Sequence, residues 1–353
     1  MVEFGGWEMP VEYPKGLVAE HLVVRQSAGL FDVSHMGCLR LHGAGALAAV
    51  QKMTMNDAAK LADGQVQYSA LLYPQGTFVD DVLVHRMAAD DYLLVINAGT
   101  RAKDAAWVRQ AAEGFDCVFE ELSDAYTQIA VQGPRAVEVM QKLTSADLSQ
   151  VKFYHFTYGS FCGLPNTLIA RTGYTAEDGF EVYVPSDEAT SVRVWQEILA
   201  AGEEFGILPC GLGARNTLRL EGCLSLYGHE ISDSITVWEA KLERFITIDK
   251  GDFTGREALL QQRAEGLKRQ LAGLVAVDRG IPRDGYKVCD AAGNAVGVVT
   301  SGSPAPSLQQ NIALAYLPPA LCAPGTEVFV EIRSRLVRCK VVATPFYKRP
   351  RKK

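Results

Sequence analysis

Several features by which protein classes are recognised are absent from this sequence. No apolar run approaches the roughly 18 residues that a membrane-spanning helix needs, and the N-terminus has no basic stretch followed by an apolar core. The formal net charge is −6, and no basic stripe carries interleaved aromatic residues, which argues against general nucleic-acid binding. We therefore expect a globular, cytoplasmic protein that binds neither membranes nor nucleic acid.

Metal-binding and common catalytic signatures are absent as well. The eight cysteines are dispersed without a Cys-x-x-Cys pair and the six histidines never fall at metal-ligand spacing, so neither a zinc site nor a disulfide framework is expected. The chain has no Gly-x-Ser-x-Gly elbow, no phosphate-binding Gly-x-x-x-x-Gly-Lys-Ser/Thr loop and no Gly-x-Gly-x-x-Gly after a strand. These absences favour a chemistry that needs few protein groups over a nucleotide-driven or acyl-enzyme mechanism.

The chain does contain enough apolar material for more than one core. It has 353 residues, of which 48% are hydrophobic, and a chain of this size usually folds as two or three packed units. A charged, weakly periodic stretch separates a long body from a last segment with short strands, such as 328–332 and 336–342. We predict a linker at 261–270, with a boundary near residue 268, and a β-rich domain at 271–347.

The last six residues, 348–353, contain five positive charges. A solvated tail is the favoured interpretation, because chain termini are commonly frayed. The alternative is a segment that helps to hold an acidic partner or a polyglutamylated cofactor.

Hairpins are predicted in the middle of the chain. Apolar residues cluster at 78–84 and at 92–96, with a short polar break between them. A second pair of predicted strands, 167–171 and 180–184, brackets a turn at 173–179 that begins and ends with glycine. Sheets should therefore make up much of this region.

Helices are predicted between these hairpins. Pro134 suits the first turn of a helix whose apolar positions recur at helical spacing. Ser186 is a candidate cap for a second helix, with Gly202 as its stop. The apolar stripe of that second helix is predicted to contain Val192, Trp195, Ile198 and Leu199. Strands and helices together indicate a mixed α+β class.

Asp80 and Asp81 lie side by side inside the first predicted hairpin strand. Successive side chains of a strand point to opposite faces, so one carboxylate would face the interior and the other would face outwards. For an arbitrary Asp-Asp pair, a strand edge or bulge with solvated carboxylates is the more common arrangement. The apolar neighbours here raise the cost of burying an unpaired charge, so we expect a cationic partner, a hydrogen-bonding partner or a ligand.

Glu181 lies in the strand after the turn at 173–179 and would point opposite to Phe180 and Val182. A carboxylate fixed in a pocket suits a heterocycle that presents two parallel N–H donors, such as the pyrimidine edge of a pterin. A surface glutamate that alternates with apolar residues is the plainer interpretation, and the residue pattern alone favours it.

The segment at 211–221, Gly-Leu-Gly-Ala-Arg-Asn-Thr-Leu-Arg-Leu-Glu, places two arginines and a glutamate in an otherwise apolar run. Arg215 and Arg219 are four residues apart and share one face if the segment is helical. Pairing with Glu221, or with an aspartate elsewhere, is the default role of such arginines. A planar guanidinium can also clamp a carboxylate or stack on a ring.

This segment resembles the Gly-Leu-Gly-Ala-Arg-Asp-Thr-Leu-Arg-Leu-Glu signature of the aminomethyltransferase (T-protein) family of the glycine cleavage system, which is folate-dependent. Further stretches resemble the family's pattern in the same order along nearly the whole chain. They are MVEFGGWEMP at 1–10, LFDVSHMG at 30–37, ND at 56–57, DD at 80–81, NAG at 97–99, VQGP at 131–134, GYT and EDG within 173–179, LYGHE at 226–230, FTGREAL at 253–259 and TSG at 300–302. So many ordered motifs argue against chance agreement.

The resemblance implies a three-domain cloverleaf of α+β class, with a central channel for tetrahydrofolate and a C-terminal β-rich, barrel-like domain. Residues 1–260 would form the folate-binding region as two intertwined α+β domains. The implied reaction uses an aminomethyl group carried on the lipoyl arm of the H-protein. Transfer of its methylene to tetrahydrofolate, the co-substrate, releases ammonia and gives 5,10-methylenetetrahydrofolate, with no metal and no nucleotide cofactor.

The resemblance also implies roles for individual residues. The family's key carboxylate falls on Asp81, close to the folate N10, where it would orient the cofactor and stabilise developing positive charge. Glu181 would bind the pterin edge, and Arg215 would bind the cofactor or position the reacting carboxylate. Ser34 and His35 belong to a family motif, and we interpret them as structural groups. The remaining implied folate-binding residues are Met36, Tyr68, Val95 and Asn97.

Several positions depart from the family pattern. Asn216 stands where the family usually has Asp, and Ala176 where it often has Gly, which reduces the backbone freedom of the turn. Arg244 and Phe245 stand where a Trp commonly contributes to the folate channel, so either Arg244 would stack on the ring system or Phe245 would replace the aromatic. The chain lacks the short Pro-Leu segment that usually precedes Met1, which leaves an upstream start codon open.

Two alternatives stay open on the same scaffold. Folate-dependent demethylases of small methylated compounds would use the same carboxylate and glutamate, although the motifs at 31–37 and 300–302 favour the glycine cleavage enzyme. A non-enzymatic folate-binding accessory protein of iron–sulfur cluster and tRNA maintenance carries Lys-Gly-Cys-Tyr-x-Gly-Gln-Glu. Here Leu226 occupies the cysteine position and Cys223 is three residues early.

Overall fold

The computed structural model describes residues 1–350, in which helices and strands alternate along the first two thirds and strands dominate the last third. The helices are α1 Leu17–Gln26, α2 Ala46–Met53, α3 Arg101–Ala112, α4 Ala136–Gln141, α5 Glu188–Gly202, α6 Leu212–Glu221 and α7 Arg256–Glu265. The strands are β1 Val2–Phe4, β2 Trp7–Met9, β3 Gly29–Asp32, β4 Gly37–His42, β5 Val66–Leu72, β6 Phe78–Ala88, β7 Asp91–Ile96, β8 Val118–Glu121, β9 Tyr126–Gln132, β10 Phe156–Phe161, β11 Leu164–Ala170, β12 Gly179–Pro185, β13 Leu208–Pro209, β14 Gln270–Ala276, β15 Lys287–Cys289, β16 Ala295–Ala305, β17 Gln310–Leu317, β18 Glu327–Ile332 and β19 Arg335–Val342. The predicted mixed class is confirmed. Within residues 1–350, no helix is both long enough and apolar enough to span a bilayer.

Two compact units share the chain, and neither is continuous in sequence. The first contains Met1–Leu71, Asp80–Ala214 and Thr247–Thr254. The second contains Leu72–Val79, Arg215–Ile246 and Gly255–Lys353, of which the structure describes the residues up to 350.

The first unit contains two larger sheets, a five-stranded sheet in the order β5-β6-β7-β4-β8 and a six-stranded sheet in the order β10-β11-β12-β9-β3-β13. Helices α4 and α5 pack on one face of the six-stranded sheet. A second apolar cluster contains Cys38 and Val95 from the five-stranded sheet and Leu168 and Tyr183 from the six-stranded sheet. This cluster lies between the two sheets and supports the strands that carry the predicted site residues.

The hairpin predicted from residues 78–84 and 92–96 is confirmed as β6 and β7. The two strands pair antiparallel, with Leu83 opposite Val95, and only Ala89 and Asp90 form the turn. Asp91, predicted in the loop, is the first residue of β7. The predicted pair at 167–171 and 180–184 is confirmed as β11 and β12.

The turn between β11 and β12 wraps around the side chain of Gln132. Its Nε2 donates to the Thr172 carbonyl oxygen at 3.0 Å, and its Oε1 accepts from the Thr175 hydroxyl at 2.7 Å. A Cβ atom at Gly173 would lie 1.9 Å from Oε1, and one at Gly179 would lie 2.4 Å from Nε2. Both glycines are therefore required by close approach of the amide.

Two arginine–carboxylate pairs hold the same turn. Arg171 donates to both carboxylate oxygens of Asp178, at 2.9 and 2.6 Å. Arg25, on α1, lies 3.2 Å from Glu177 in a pair whose side chains are 5% and 2% exposed. A bidentate pair and a buried pair fix a short segment far more rigidly than surface ion pairs do.

Helices α4 and α5 differ in detail from their predictions. Helix α4 begins at Ala136 and ends at Gln141, so Pro134, predicted in its first turn, lies two residues before the helix. The cap of α5 is Asp187, whose side chain accepts from the Thr190 backbone N–H, whereas the hydroxyl of the predicted cap Ser186 donates to the Asp124 carbonyl oxygen.

The predicted apolar stripe of α5 was wrong at one position. Val192 is 47% exposed, and the fully buried residues of the helix are Val194, Ile198 and Gly202. Residues 194, 198 and 202 follow a spacing of four, which keeps them on one face, and Val192 lies two residues before that series. Trp195 and Leu199 are partly buried against the same core, as predicted.

The second unit contains a closed six-stranded barrel in the order β14-β17-β16-β15-β18-β19, with β19 pairing back to β14. The predicted β-rich segment and its last hairpin, β18 and β19, are confirmed. Residues 261–265 of the predicted linker belong to α7, because its glutamines and glutamate are also good helix formers, and β14 begins at Gln270. The predicted basic tail at 348–353 lies partly outside the described residues.

The segment Thr247–Thr254 returns to the first unit and is attached there by Lys250. Its ammonium donates to the carbonyl oxygens of Gln51, Thr54 and Asn56 at 2.8, 2.6 and 2.7 Å. The C-terminus of a helix presents unpaired carbonyl oxygens and a partial negative charge, and α2 ends at Met53 beside this ammonium.

Candidate functional site

Asp80 and Asp81 occupy adjacent positions on β6 and differ sharply in exposure. Asp80 is 0% exposed, whereas Asp81 is half-buried. The strand alternation predicted this difference, and the expected hydrogen-bonding partners are present. Neither side chain is a solvated surface carboxylate.

Asp81 is held by two of the residues that the resemblance implied. The Tyr68 hydroxyl donates to Oδ2 at 2.9 Å, and Asn97 Nδ2 donates to Oδ1 at 2.7 Å. Burial and the neighbouring charge of Asp80 raise the pKa of Asp81 to about 7, against the lowering effect of these two hydrogen bonds. A carboxyl with such a pKa is partly protonated at neutral pH.

Asp80 is the structural partner in this pair. Its Oδ1 accepts from Asn97 Nδ2 at 2.9 Å and from the Asp81 backbone N–H at 2.8 Å, and its Oδ2 accepts from the Thr100 hydroxyl. Asn97 thus bridges both carboxyl groups. Thr100 was missed in the sequence, although it lies only three residues after Asn97 and begins the first turn of α3.

Val95 lies in the apolar cluster between the two sheets of the first unit, and Met36 packs against that cluster. Val95 pairs with Cys38 on β4, and Met36 directly precedes that strand. Val95 therefore lies on β7, the strand next to β6, and Met36 lies at the start of β4, one strand further away. Their roles as pocket walls stay predictions.

Glu181 lies on β12 between Phe180 and Val182, which are both fully buried in the core beneath α4 and α5. Its own side chain points to the other face, as predicted, and Oε2 accepts from the Thr172 hydroxyl. Burial raises the pKa of Glu181 and the Thr172 hydrogen bond lowers it. Within residues 1–350, Oε1 accepts no hydrogen bond, so the carboxylate can still accept from a ligand's N–H group.

Comparison with known families accounts for almost the whole chain. The profile of the GCVT N-terminal domain matches residues 1–250, and that of the glycine cleavage T-protein C-terminal barrel domain matches residues 269–348. This chain belongs to the glycine cleavage T-protein family.

Individual T-protein relatives are similar over nearly their full length. Proteins named aminomethyltransferase from Koribacter versatilis and Acidobacterium capsulatum are each 63% identical to this chain, over 100% of it and 93% of the relative. The crystal structure of glycine cleavage system aminomethyltransferase T from Bartonella henselae is 34% identical and superposes with a TM-score of 0.92, covering 99% of this chain and 94% of that one.

Arg215, implied by the T-protein pattern, and Arg244, the possible substitution for the channel aromatic, lie in the second unit. Arg215 is on α6, one turn before Arg219, so the predicted shared helical face is confirmed. Arg244 is exposed and stacks on Phe245, with its guanidinium carbon 4.4 Å from the ring centroid. The roles of both arginines in binding stay predictions.

The default pairing of Arg219 with Glu221 was wrong. Arg219 donates to Glu230 at 2.7 Å, and the two side chains are 1% and 0% exposed. Its other donors reach Asn216 at 3.0 Å and Ser301 at 2.8 Å. Glu221 instead accepts from the Ser307 backbone N–H at 3.0 Å. Residues two apart on a helix point in different directions, so Glu221 cannot face Arg219.

Two departures from the T-protein pattern have visible consequences. Asn216, where the family usually has Asp, accepts from Arg219 through its amide oxygen, so a neutral residue fills the acceptor role. Ala176 has a φ of 60°, the left-handed region that favours glycine, so the turn at 173–179 carries some backbone strain.

Asp104 and Lys103, on α3, are functional candidates that the sequence analysis missed. Asp104 is 0% exposed, and Lys103 Nζ lies 3.0 Å from its Oδ1. The sequence held no local signal for either residue, because the packing of α3 depends on contacts between distant segments. In residues 1–350, no group of three or more His, Cys, Asp or Glu side chains is arranged to hold a metal ion.

Proposed function

We propose that this chain is a tetrahydrofolate-dependent aminomethyltransferase of a glycine cleavage system, acting in the cytoplasm. It would transfer the methylene of an aminomethyl group, carried on the dihydrolipoyl arm of an H-protein, to tetrahydrofolate, with release of ammonia and formation of 5,10-methylenetetrahydrofolate. The support comes from one carboxyl, Asp81, held by Tyr68 and Asn97 in a chain that is 63% identical to proteins named aminomethyltransferase.

Tetrahydrofolate supplies the nitrogen atoms that receive the methylene carbon. The residues suited to hold it are a half-buried glutamate with one oxygen still able to accept, Glu181, and the apolar walls at Met36 and Val95. Arg215 is proposed to bind the cofactor or to position a carboxylate, because a guanidinium suits planar, bidentate recognition. Arg244 is proposed as the replacement for the channel aromatic of the family.

Asp81 contributes charge and position. When ionised, it places a negative charge where positive charge develops during transfer, and Tyr68 and Asn97 hold its two oxygens so that little reorganisation is needed. Its pKa near 7 also allows it to hold or release a proton at neutral pH. The protein thus acts through orientation and electrostatics, and no covalent intermediate with the chain is required.

The deciding experiment measures ammonia and methylenetetrahydrofolate formed from aminomethylated lipoyl H-protein, with and without tetrahydrofolate. Folate-stimulated release of both products at equal yield is expected. The Asp81→Asn variant serves as the matched control, because it keeps the shape of the side chain and removes its charge. Folate binding without turnover would contradict the proposal and would direct attention to demethylation of small methylated donors.

A further inference from the structure

Thr172 is the residue that fixes the carboxylate of Glu181. It lies in the turn between β11 and β12, is 2% exposed, and donates from its hydroxyl to Glu181 Oε2. Glu181 itself is half-buried on β12 and keeps Oε1 available to a ligand. A buried hydroxyl therefore holds one oxygen of the carboxylate and leaves the other open.

The backbone of Thr172 is in turn fixed by Gln132, on β9. Gln132 is 1% exposed, and its Nε2 donates to the Thr172 carbonyl oxygen at 3.0 Å. Its Oε1 accepts from the Thr175 hydroxyl at 2.7 Å, so the same amide holds the turn at two points. Strand β9 pairs with β12, with Gln132 opposite Gly179. The Thr172 hydroxyl and Glu181 are thus both held by reference to one buried strand.

The hydrogen bond from Thr172 has two effects on Glu181. A free glutamate side chain rotates about several bonds, and fixing it before a ligand arrives removes an entropic cost of binding. The bond also favours the ionised form, because burial raises the pKa of Glu181 and the Thr172 hydroxyl lowers it. An ionised carboxylate only accepts hydrogen bonds, whereas a protonated one donates from one oxygen. Only the ionised form therefore accepts two N–H groups of one ligand.

The titratable groups that face Glu181 carry no charge at neutral pH. Ala170 on β11 and Ala130 on β9 lie opposite it in the sheet. The Cys38 thiol on β4 and the Tyr183 phenol on β12 interact with it electrostatically. Burial raises the pKa of Cys38 to about 12 and that of Tyr183 above its usual range, so both stay neutral. Thr172 is therefore the neighbour that favours ionisation of Glu181.

We propose that Thr172 is a positioning residue that holds Glu181 as a fixed, acceptor-only group and thereby selects a heterocycle whose edge presents two parallel N–H donors. Thr172 acts through Glu181 and requires no contact with the ligand. The inference rests on the proposed function, since it takes the pterin of tetrahydrofolate as the heterocycle. Binding of tetrahydrofolate is measured without the H-protein, so this role is tested separately from turnover.

The test is the equilibrium affinity for tetrahydrofolate across a range of pH, measured in the Asp81→Asn background so that Asp81 does not titrate. Thr172→Val keeps the branched shape and removes the donor. It should weaken binding about tenfold at neutral pH. Affinity should fall as pH drops through the pKa of Glu181, and removing the donor raises that pKa. The fall should therefore begin at a higher pH in the valine variant.

Two further variants make the comparison specific. Thr172→Ser retains the hydroxyl and should keep the affinity and the pH profile of the Asp81→Asn protein. Thr167→Val is the matched control, because Thr167 is a 3% exposed residue of the neighbouring strand β11 whose hydroxyl donates to the Leu164 carbonyl oxygen at 3.2 Å. It should change neither quantity. Thr172→Ala provides the same test if the valine variant does not fold.

The outcomes separate a positioning role from a structural one. Unchanged affinity without the Thr172 hydroxyl would overturn the inference. So would an affinity that is weakened equally at every pH, or a loss that serine does not restore, because Thr172 would then only support the turn. Absent binding of tetrahydrofolate by the protein with Thr172 intact would instead refute the proposed function.

Discussion

At the scale of the residue, the pKa of Asp81 results from opposing effects of its surroundings. Burial and Asp80 raise its pKa, while the Tyr68 hydroxyl and the Asn97 amide lower it, and the balance is about 7. A small change in any of these groups therefore changes the ionised fraction at neutral pH.

We predict that the rate of the proposed transfer increases as pH rises through about 7, because the ionised form of Asp81 is the one that stabilises positive charge. Asp81→Asn should lose this acid limb and lower the rate by about 10²- to 10³-fold, with folding and folate affinity mostly retained. Initial rates across the pH range and a folate titration measure both effects. Equal losses of stability and activity would identify Asp81 as a structural carboxyl.

Tyr68→Phe provides a graded companion to that experiment. It removes the hydroxyl that donates to Asp81 Oδ2 and leaves the ring, so the pKa of Asp81 should rise and the acid limb should move to higher pH. A limb that moves to lower pH would show that another group controls the profile.

The sequence predicted much of the residue-scale arrangement because the relevant signals are local. Alternation along one strand separated Asp80 from Asp81, and alternation along another placed Glu181 opposite Phe180. The buried Asp104 was missed because nothing in the local pattern of a helix shows which strand its first turn approaches.

At the scale of the element, α6 is joined to the barrel of the second unit by a buried ionic network. Glu230 accepts from Arg219 at 2.7 Å, from the Leu226 backbone at 3.1 Å and from the Thr300 hydroxyl at 2.7 Å. The Tyr316 hydroxyl donates to the Glu230 carbonyl oxygen at 2.6 Å. With both carboxylate oxygens satisfied, the charge is tolerated in the interior.

We predict that Arg219→Met destabilises the protein by about 3–5 kcal/mol, because Glu230 would keep a buried charge without its partner. The double variant with Glu230→Gln should recover much of the loss. Urea denaturation gives both values. Lys287→Met, which breaks an exposed pair with Glu331 in the same barrel, is the control and should change stability by less than about 1 kcal/mol. Equal losses of stability in Arg219→Met and Lys287→Met would mean that burial of the Arg219–Glu230 pair is unimportant.

The sequence predicted the type of each helix or strand better than the residues at which it begins and ends. Asp187 caps α5 in place of Ser186, since either side chain can accept from the first turn and only the path of the incoming chain selects one. The partner of Arg219 lies 11 residues away around a loop, and helix periodicity gives no information about such a contact.

At the scale of the whole molecule, the chain passes between its two units several times. Residues Leu72–Val79 belong to the second unit, whereas the chain from Asp80 to Ala214 belongs to the first. After Arg215–Ile246 in the second unit, Thr247–Thr254 belongs to the first unit again. The sequence suggests contiguous domains because composition changes along the chain, whereas these crossings depend on contacts between distant segments. The predicted boundaries at 260 and 270 stay predictions.

We predict that Lys250→Met loosens the returning segment Thr247–Thr254. Three carbonyl oxygens would lose their shared donor, at a cost of about 1–3 kcal/mol. Amide hydrogen exchange of this segment should accelerate more than exchange in the barrel. Lys52→Met, which removes an exposed pair with Asp252 in the same segment, is the matched control and should have little effect. Uniform acceleration throughout the protein would instead indicate a global role for Lys250.

The amide of Gln132 has a further consequence for how this chain can vary. It fills the space that any side chain at Gly173 or Gly179 would need, and it bonds to the turn that those glycines bound. A methyl group at Gly173 would require the amide of Gln132 to move or position 132 to shorten, and shortening removes two hydrogen bonds. A methyl group at Gly179 would in addition lie 2.6 Å from the Val131 carbonyl oxygen. The three positions should therefore be inherited as a set, with each residue restricting what natural variation permits at the other two.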